Sequence, residues 1–187
     1  LASGHAYSTV KENIEYAKIN GLKYYGLSDH GVNMPGGPHL FYFQNLKVLP
    51  KEIDGVRILK GVEANIIDYD GNIDVTFDKY LNKLDYLIAS RHTVCLEPGT
   101  KEQNTKATIK AMDHELVKII GHPDDGRYEL DYEEVVKKAK EKNILLESLS
   151  NVIRAVSPRN IIPILNGVMF DLKEEGLYLT ASDSDLV

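Results

Sequence analysis

Short apolar runs alternate with amphipathic stretches along most of this chain. Six runs rich in Ile, Leu, Val and Tyr stand out: "KYYGLS" (Lys23 to Ser28), "VRILKGVEA" (Val56 to Ala64), "LDYLIAS" (Leu84 to Ser90), "VKIIG" (Val117 to Gly121), "NILLES" (Asn143 to Ser148) and "LYLTAS" (Leu177 to Ser182). Each is short and only weakly alternating, the pattern of parallel strands covered on both faces. Helices are predicted between them. Thr9 with Glu12 reads as a capping box ahead of a Val10, Ile14, Ala17 stripe, and Gly21 marks the stop. Asp131 with Glu134 repeats the signature before a helix that buries Val135, Val136 and Ala139. Another helix is expected after Asn104, carrying Ala107, Ile109 and Met112, and a last one over roughly Pro158 to Glu175. A hairpin is predicted in "IIDYDGNIDV", with Asp70-Gly71 at its tip. Strands joined by crossover helices make an α/β fold with a parallel sheet, either open and doubly wound or closed into a barrel.

The residues that follow the runs change the picture. Asp29-His30 follow the first, Glu63 ends the second, His92 lies two residues past the third, His122 follows the fourth and Asp183 the sixth. One histidine after a strand is ordinarily a loop or capping residue. Five metal-type ligands obeying one positional rule point instead to a site at the carboxyl ends of the strands, where α/β folds gather their functional groups. Three imidazoles and two carboxylates suit Zn²⁺, Mn²⁺ or Fe²⁺, and clustered ions of this kind activate water against phosphorus. His5 precedes the first helix, at a place where a strand end would fall if a strand lay before Leu1. His39 sits in the Gly/Pro loop "MPGGPH", which lacks the Lys-Ser/Thr of a P-loop.

Composition narrows the function classes. With 28 acids against 22 bases the net charge is −6, and no basic run interleaved with aromatics suggests nucleic-acid binding through a basic face. A single cysteine, Cys95, excludes an intrachain disulfide framework, and no apolar run is long enough for a membrane helix. The expectation is a cytoplasmic, single-domain protein over residues 1–187.

Taken in order, "GHAYST", "SDHG", "GVEAN", "RH", "IGHPDD" and "SDS" resemble the PHP superfamily (polymerase and histidinol phosphatase), in its small stand-alone phosphatase branch of the YcdX type. "MPGGPHLFYFQNLK", "DGNID" and "GTKEQNT" extend the likeness up to Glu147; it weakens from Ser148 to Leu179 and returns at "SDS". The resemblance implies a distorted (β/α)7 TIM-like barrel whose first strand is missing from this chain, with up to three ions, Zn²⁺ or Mn²⁺/Fe²⁺. It carries ligand roles onto His5, His30, Glu63, His92, His122 and Asp183, and puts Asp185 where the family has a histidine. The family's His-x-His pair has no counterpart here, so the ion that pair would hold keeps only Glu63 and Asp183. The ion between Glu63, His92 and His122 is the best provided.

The implied activity is hydrolysis of a small phosphoric ester by a metal-bridging hydroxide, with Glu63, His122 and Asp183 as the catalytic set and Arg91, Arg127 and His39 as candidate substrate contacts. Asp29 is expected to orient His30 or its neighbour. The alternative is an inactive or truncated PHP-like protein whose metal is structural or regulatory.

Overall fold

The computed structural model describes residues 1–75 and 83–147, together with the backbone of two strands at 169–173 and 176–180. Helices α1 (Val10–Ile19), α2 (Leu40–Asn45), α3 (Lys101–Ala111) and α4 (Tyr132–Lys142) alternate with strands β1 (Tyr24–Leu27), β2 (Glu52–Ile53), β3 (Val56–Asn65), β4 (Tyr86–Ser90), β5 (Val117–Ile120) and β6 (Leu145–Leu146). Strands β1, β3, β4, β5 and β6 lie side by side in that order, every neighbouring pair parallel, and β2 adds an antiparallel edge to the start of β3. The sheet curls as part of a barrel wall; among the described residues β1 and β6 are its terminal strands and no pairing closes it.

The helices start where the chain supplies caps. Thr9 accepts from the Glu12 amide while the Glu12 carboxylate accepts from the Thr9 amide, which completes the expected box. A second box, Thr100 with Gln103, starts α3 at Lys101, earlier than the stretch after Asn104 that the apolar pattern marked. Asp131 caps α4, and Asn143 ends it in the left-handed region. Val135 and Ala139 are buried as expected, but Val136 lies on the solvent side.

Alternation along β3 sorts its side chains. Val56, Ile58, Val62 and Ala64 are buried core residues, whereas Gly61, Glu63 and Asn65 share the opposite face. Parallel register puts Tyr86, Ile88 and Ser90 of β4 beside those three. The Tyr86 ring lies over Gly61, where a Cβ would also stand 2.8 Å from the Leu27 carbonyl, and its hydroxyl donates to that carbonyl. Glycine at 61 makes room for a tyrosine that ties β1, β3 and β4 together below the mouth.

Two expectations fail at the carboxyl end. The run around Leu177 is a strand, β8 (Gly176–Thr180), but it pairs antiparallel with β7 (Met169–Lys173) in a separate two-stranded sheet. Residues Met169 to Lys173 are therefore a strand and not the end of a helix begun at Pro158; residues 158–168 lie outside the described residues. Among the described residues the parallel strands number five, and the (β/α)7 barrel expected from the sequence is not seen in full. Among the described residues, no helix is long and apolar enough to cross a membrane.

Candidate metal centre

Each of β1, β3, β4 and β5 delivers one residue to the same mouth. His30 follows β1 and bridges to Glu63 as if the strand continued, and the Gly31 amide donates to the Glu63 carbonyl. Glu63 lies near the end of β3, His92 two residues past β4 and His122 two residues past β5. Alternation alone would turn His122 to the side of Ile120, away from Glu63. A φ of 30° at His122 redirects the chain there.

Three imidazoles surround the one carboxylate. His30 Nδ1 stands 3.0 Å from one Glu63 oxygen, and Nε2 of His92 and of His122 stand 3.4 and 3.5 Å from the other. The buried His30 Nδ1 has no hydrogen-bond partner, because its short approach to Glu63 lacks hydrogen-bonding angles. Donors each about 2.1 Å from a tetrahedral ion stand about 3.4 Å apart, so these separations suit a shared cation better than direct bonds. Ligand atoms of His30, Glu63 and His92 all fall within 4.8 Å of one another. The residues therefore fit a borderline divalent ion held by nitrogen and oxygen. His5 extends the row: its ring centroid lies 5.0 Å from that of His30, which lies 5.0 Å from His92, and His92 lies 5.1 Å from His122.

The electrostatics match that arrangement. Burial pushes the Glu63 carboxyl up, but the contacts from His122, His30 and His92 outweigh burial and hold it far below the usual carboxylate range. The same contact with Glu63 raises His30 and His122, against the opposing effect of burial. Glu63 is thus an anion at any physiological pH, and His30 and His122 attract protons when no cation occupies the space between them.

Several expected roles change. Asp29 does not orient the His30 ring. It accepts from the Ala2 and Ser3 amides, the Ser3 hydroxyl and the Tyr42 hydroxyl, while Ser3 Oγ accepts from the His30 amide. Asp29 and Ser3 thereby fasten the first residues, and with them His5, against the end of β1. His39 is exposed and caps α2 by accepting from the Phe41 amide, a role that turns its ring to Phe41.

Arg91, a candidate substrate contact, is not on the surface. It is 1% exposed, stacks on Tyr128 and points its guanidinium at the carbonyls of Pro123 and Tyr128, in the loop after His122. Arg127 is exposed and its guanidinium is paired with Asp125. Arg91→Ala is expected to cost about 2 kcal/mol in urea unfolding, through lost packing and unpaired carbonyls. Arg127→Ala should stay within about 0.5 kcal/mol, as surface substitutions do.

Asp183 and Asp185 lie outside the described residues. Glu147, just past β6, is a neighbour of the site that sequence reasoning missed: its carboxylate accepts from the His122 amide at 3.4 Å. It obeys the strand-end rule, but the run "NILLES" was matched to no ligand.

Fold and site together define an α/β protein with a candidate metal centre at the carboxyl ends of parallel strands. The chain is 46% identical over 185 residues to a probable phosphatase of Clostridium novyi, covering 98% of this chain and 75% of the relative. A probable phosphatase of Acetivibrio thermocellus is 48% identical over 162 residues, 86% of this chain and 67% of its own. One from Clostridium botulinum is 51% identical over 147 residues, 79% of this chain and 60% of its own. The chain belongs to this family of probable phosphatases. It spans between about three fifths and three quarters of the length of these relatives. Residues 137–187 also match a family model described as the DNA polymerase III beta subunit, N-terminal domain. That stretch includes β7, β8, Asp183 and Asp185.

Proposed function

We propose that this protein is a metal-dependent phosphomonoesterase of the PHP type, acting on a small phosphorylated substrate. The observation that carries the reading is the convergence of three imidazoles on one half-buried carboxylate from four parallel strand ends. The naming of the relatives as probable phosphatases supports the same chemistry. Glu63, His92 and His122 would hold one divalent ion, and His30 with His5 the protein side of a second. Bound cations would supply water activated at neutral pH and positive charge against the phosphoryl oxygens.

The chain's own residues do the rest. Glu63 keeps its negative charge between the imidazoles, His122 is presented by its turned backbone, and Ser3 with Asp29 hold His5 beside His30. Asp183 and Asp185, which the PHP resemblance carries over as further ligands, stay in the proposed centre, because the likeness to a probable phosphatase runs over 98% of the chain.

The test is turnover of p-nitrophenyl phosphate by the full chain loaded with Zn²⁺ or Mn²⁺. His122→Ala should lower kcat by about 100-fold or more. Equal turnover in native protein and His122→Ala would overturn the reading. A second reading, motivated by Asp185 standing where the PHP family has a histidine, is a metal-binding protein without turnover. Metal counting by mass spectrometry separates the two, since one retained ion without hydrolysis supports this second reading and two or more with hydrolysis supports the first.

A further inference from the structure

Two residues outside the ligand set, Asn65 and Asp74, form a chain of hydrogen bonds that ends on His92. Asn65 ends β3 on the same face as Glu63 and is fully buried. Asp74 follows the hairpin at 66–73 and returns beside it, its own amide donating to the Asn65 carbonyl. Three N–H groups converge on the Asp74 carboxylate: the amides of Asn33 and Asn65, both at 2.8 Å, and the Asn65 side-chain nitrogen at 2.6 Å. The carboxylate also sits against the backbone of Gly31, where a Cβ would collide with it.

A carboxylate that accepts from Asn65 fixes the rotation of that side-chain amide. Turned over, Asn65 would put its oxygen against an acceptor, and nothing would offset the repulsion in a buried place. Asn65 Oδ1 therefore faces His92 Nδ1, 2.6 Å away. Oxygen has no hydrogen to give, so the hydrogen between them belongs to Nδ1. The lone pair of the neutral ring is then on Nε2, the atom that faces Glu63.

We propose that Asp74 and Asn65 act as a positioning relay that locks His92 in the Nδ1–H tautomer and so keeps Nε2 ready to ligate a divalent cation. The inference rests on the metal-centre reading above, but its first readout needs neither metal nor turnover. Neither residue touches the candidate ion; each acts through His92.

The experiment is nitrogen-15 NMR of the metal-free full chain with labelled histidine, at a pH above the histidine titrations. The native protein should show His92 with its hydrogen on Nδ1. In Asp74→Ala the side chain of Asn65 loses the acceptor that fixes its rotation and is free to turn. His92 should then populate the Nε2–H form, with the His30 and His122 signals unchanged. Titration with Co²⁺ alone should show an affinity lower by about 10- to 100-fold.

A native His92 carrying its hydrogen on Nε2 would overturn the proposal without any variant being made. An Asp74→Ala protein with the native tautomer and native Co²⁺ affinity would overturn it as well. If the native protein shows the Nδ1–H tautomer yet hydrolyses no phosphate ester, the relay stands and the phosphatase reading falls.

Discussion

Glu63→Gln is expected to lower Co²⁺ or Zn²⁺ affinity by about 100-fold or more, a larger loss than removal of any group acting through a ligand. Glutamine keeps the shape of the side chain but replaces one acceptor oxygen with an NH₂ donor. Glu63 offers one oxygen to His30 and the other to His92 and His122, so either orientation of the amide spoils part of the set. The loss of charge matters more. A divalent cation at a half-buried site needs a compensating anion, and Glu63 is the carboxylate that stands against all three rings. Unchanged Co²⁺ binding by Glu63→Gln would sink the assignment of the centre.

The same substitution should erase a pH dependence of the metal-free protein. His30 and His122 have folded-state pKa values raised above the ordinary 6.5 by Glu63. Their contribution to stability is therefore fully present below about 6.5 and is lost as pH rises through the higher folded values. Thermal melts in chelator should show the native protein losing stability across that window. Added metal should reverse the trend, because cations bind the unprotonated rings and protons compete with them. Glu63→Gln should show neither the slope nor the reversal.

Much of this centre was legible because parallel strands in one sheet end at one edge. A residue placed just past a strand is then placed at the mouth, and that rule brought His30, Glu63, His92 and His122 together before any geometry was known. The rule says nothing about which way a residue faces. Arg91 sits between Ser90 and His92, and strand parity turns it under the sheet while its neighbours face the site. Applied from Glu63, the same parity would have found Asn65. Asp74 carried no such signal, since its place depends on a hairpin that folds back. His39 looked like a site residue by its loop, but the chain resumes a helix at Leu40 and its imidazole serves the first turn. The run near Leu177 misled for another reason: apolar content marks a strand without telling its direction or its partner. Only its pairing with β7 shows that it leaves the parallel sheet.

Gly71→Ala is expected to destabilise the protein by about 3 kcal/mol, or roughly 6 to 12 °C in Tm. The hairpin that carries Asp74 turns at this glycine, with φ at 78°. Its turn is held by the Asp68 carboxylate, which accepts from the amides of Asp70 and Asn72 and from the Asn72 side chain. The Gly71 carbonyl faces Nε2 of His114, and Asp70 pairs with Lys106 of α3. A Cβ at position 71 would lie 2.7 Å from the Ala111 amide nitrogen and 2.8 Å from the Ala107 carbonyl oxygen. Both are backbone atoms of α3, so no side-chain rotation relieves the contact, and either the helix or the turn must move.

Gly21 separates the two causes. It has a similar φ of 71° with open space around its missing side chain, so Gly21→Ala should cost only about 1 kcal/mol, the price of backbone strain alone. The excess at Gly71 measures the collision with α3. Movement of the hairpin also displaces Asp74, and Gly71→Ala should therefore weaken Co²⁺ binding although residue 71 packs against α3. Equal melting losses at positions 21 and 71 would show that the turn yields without strain. A large loss at 71 with native Co²⁺ affinity would show that the hairpin can shift without carrying Asp74 away from Asn65.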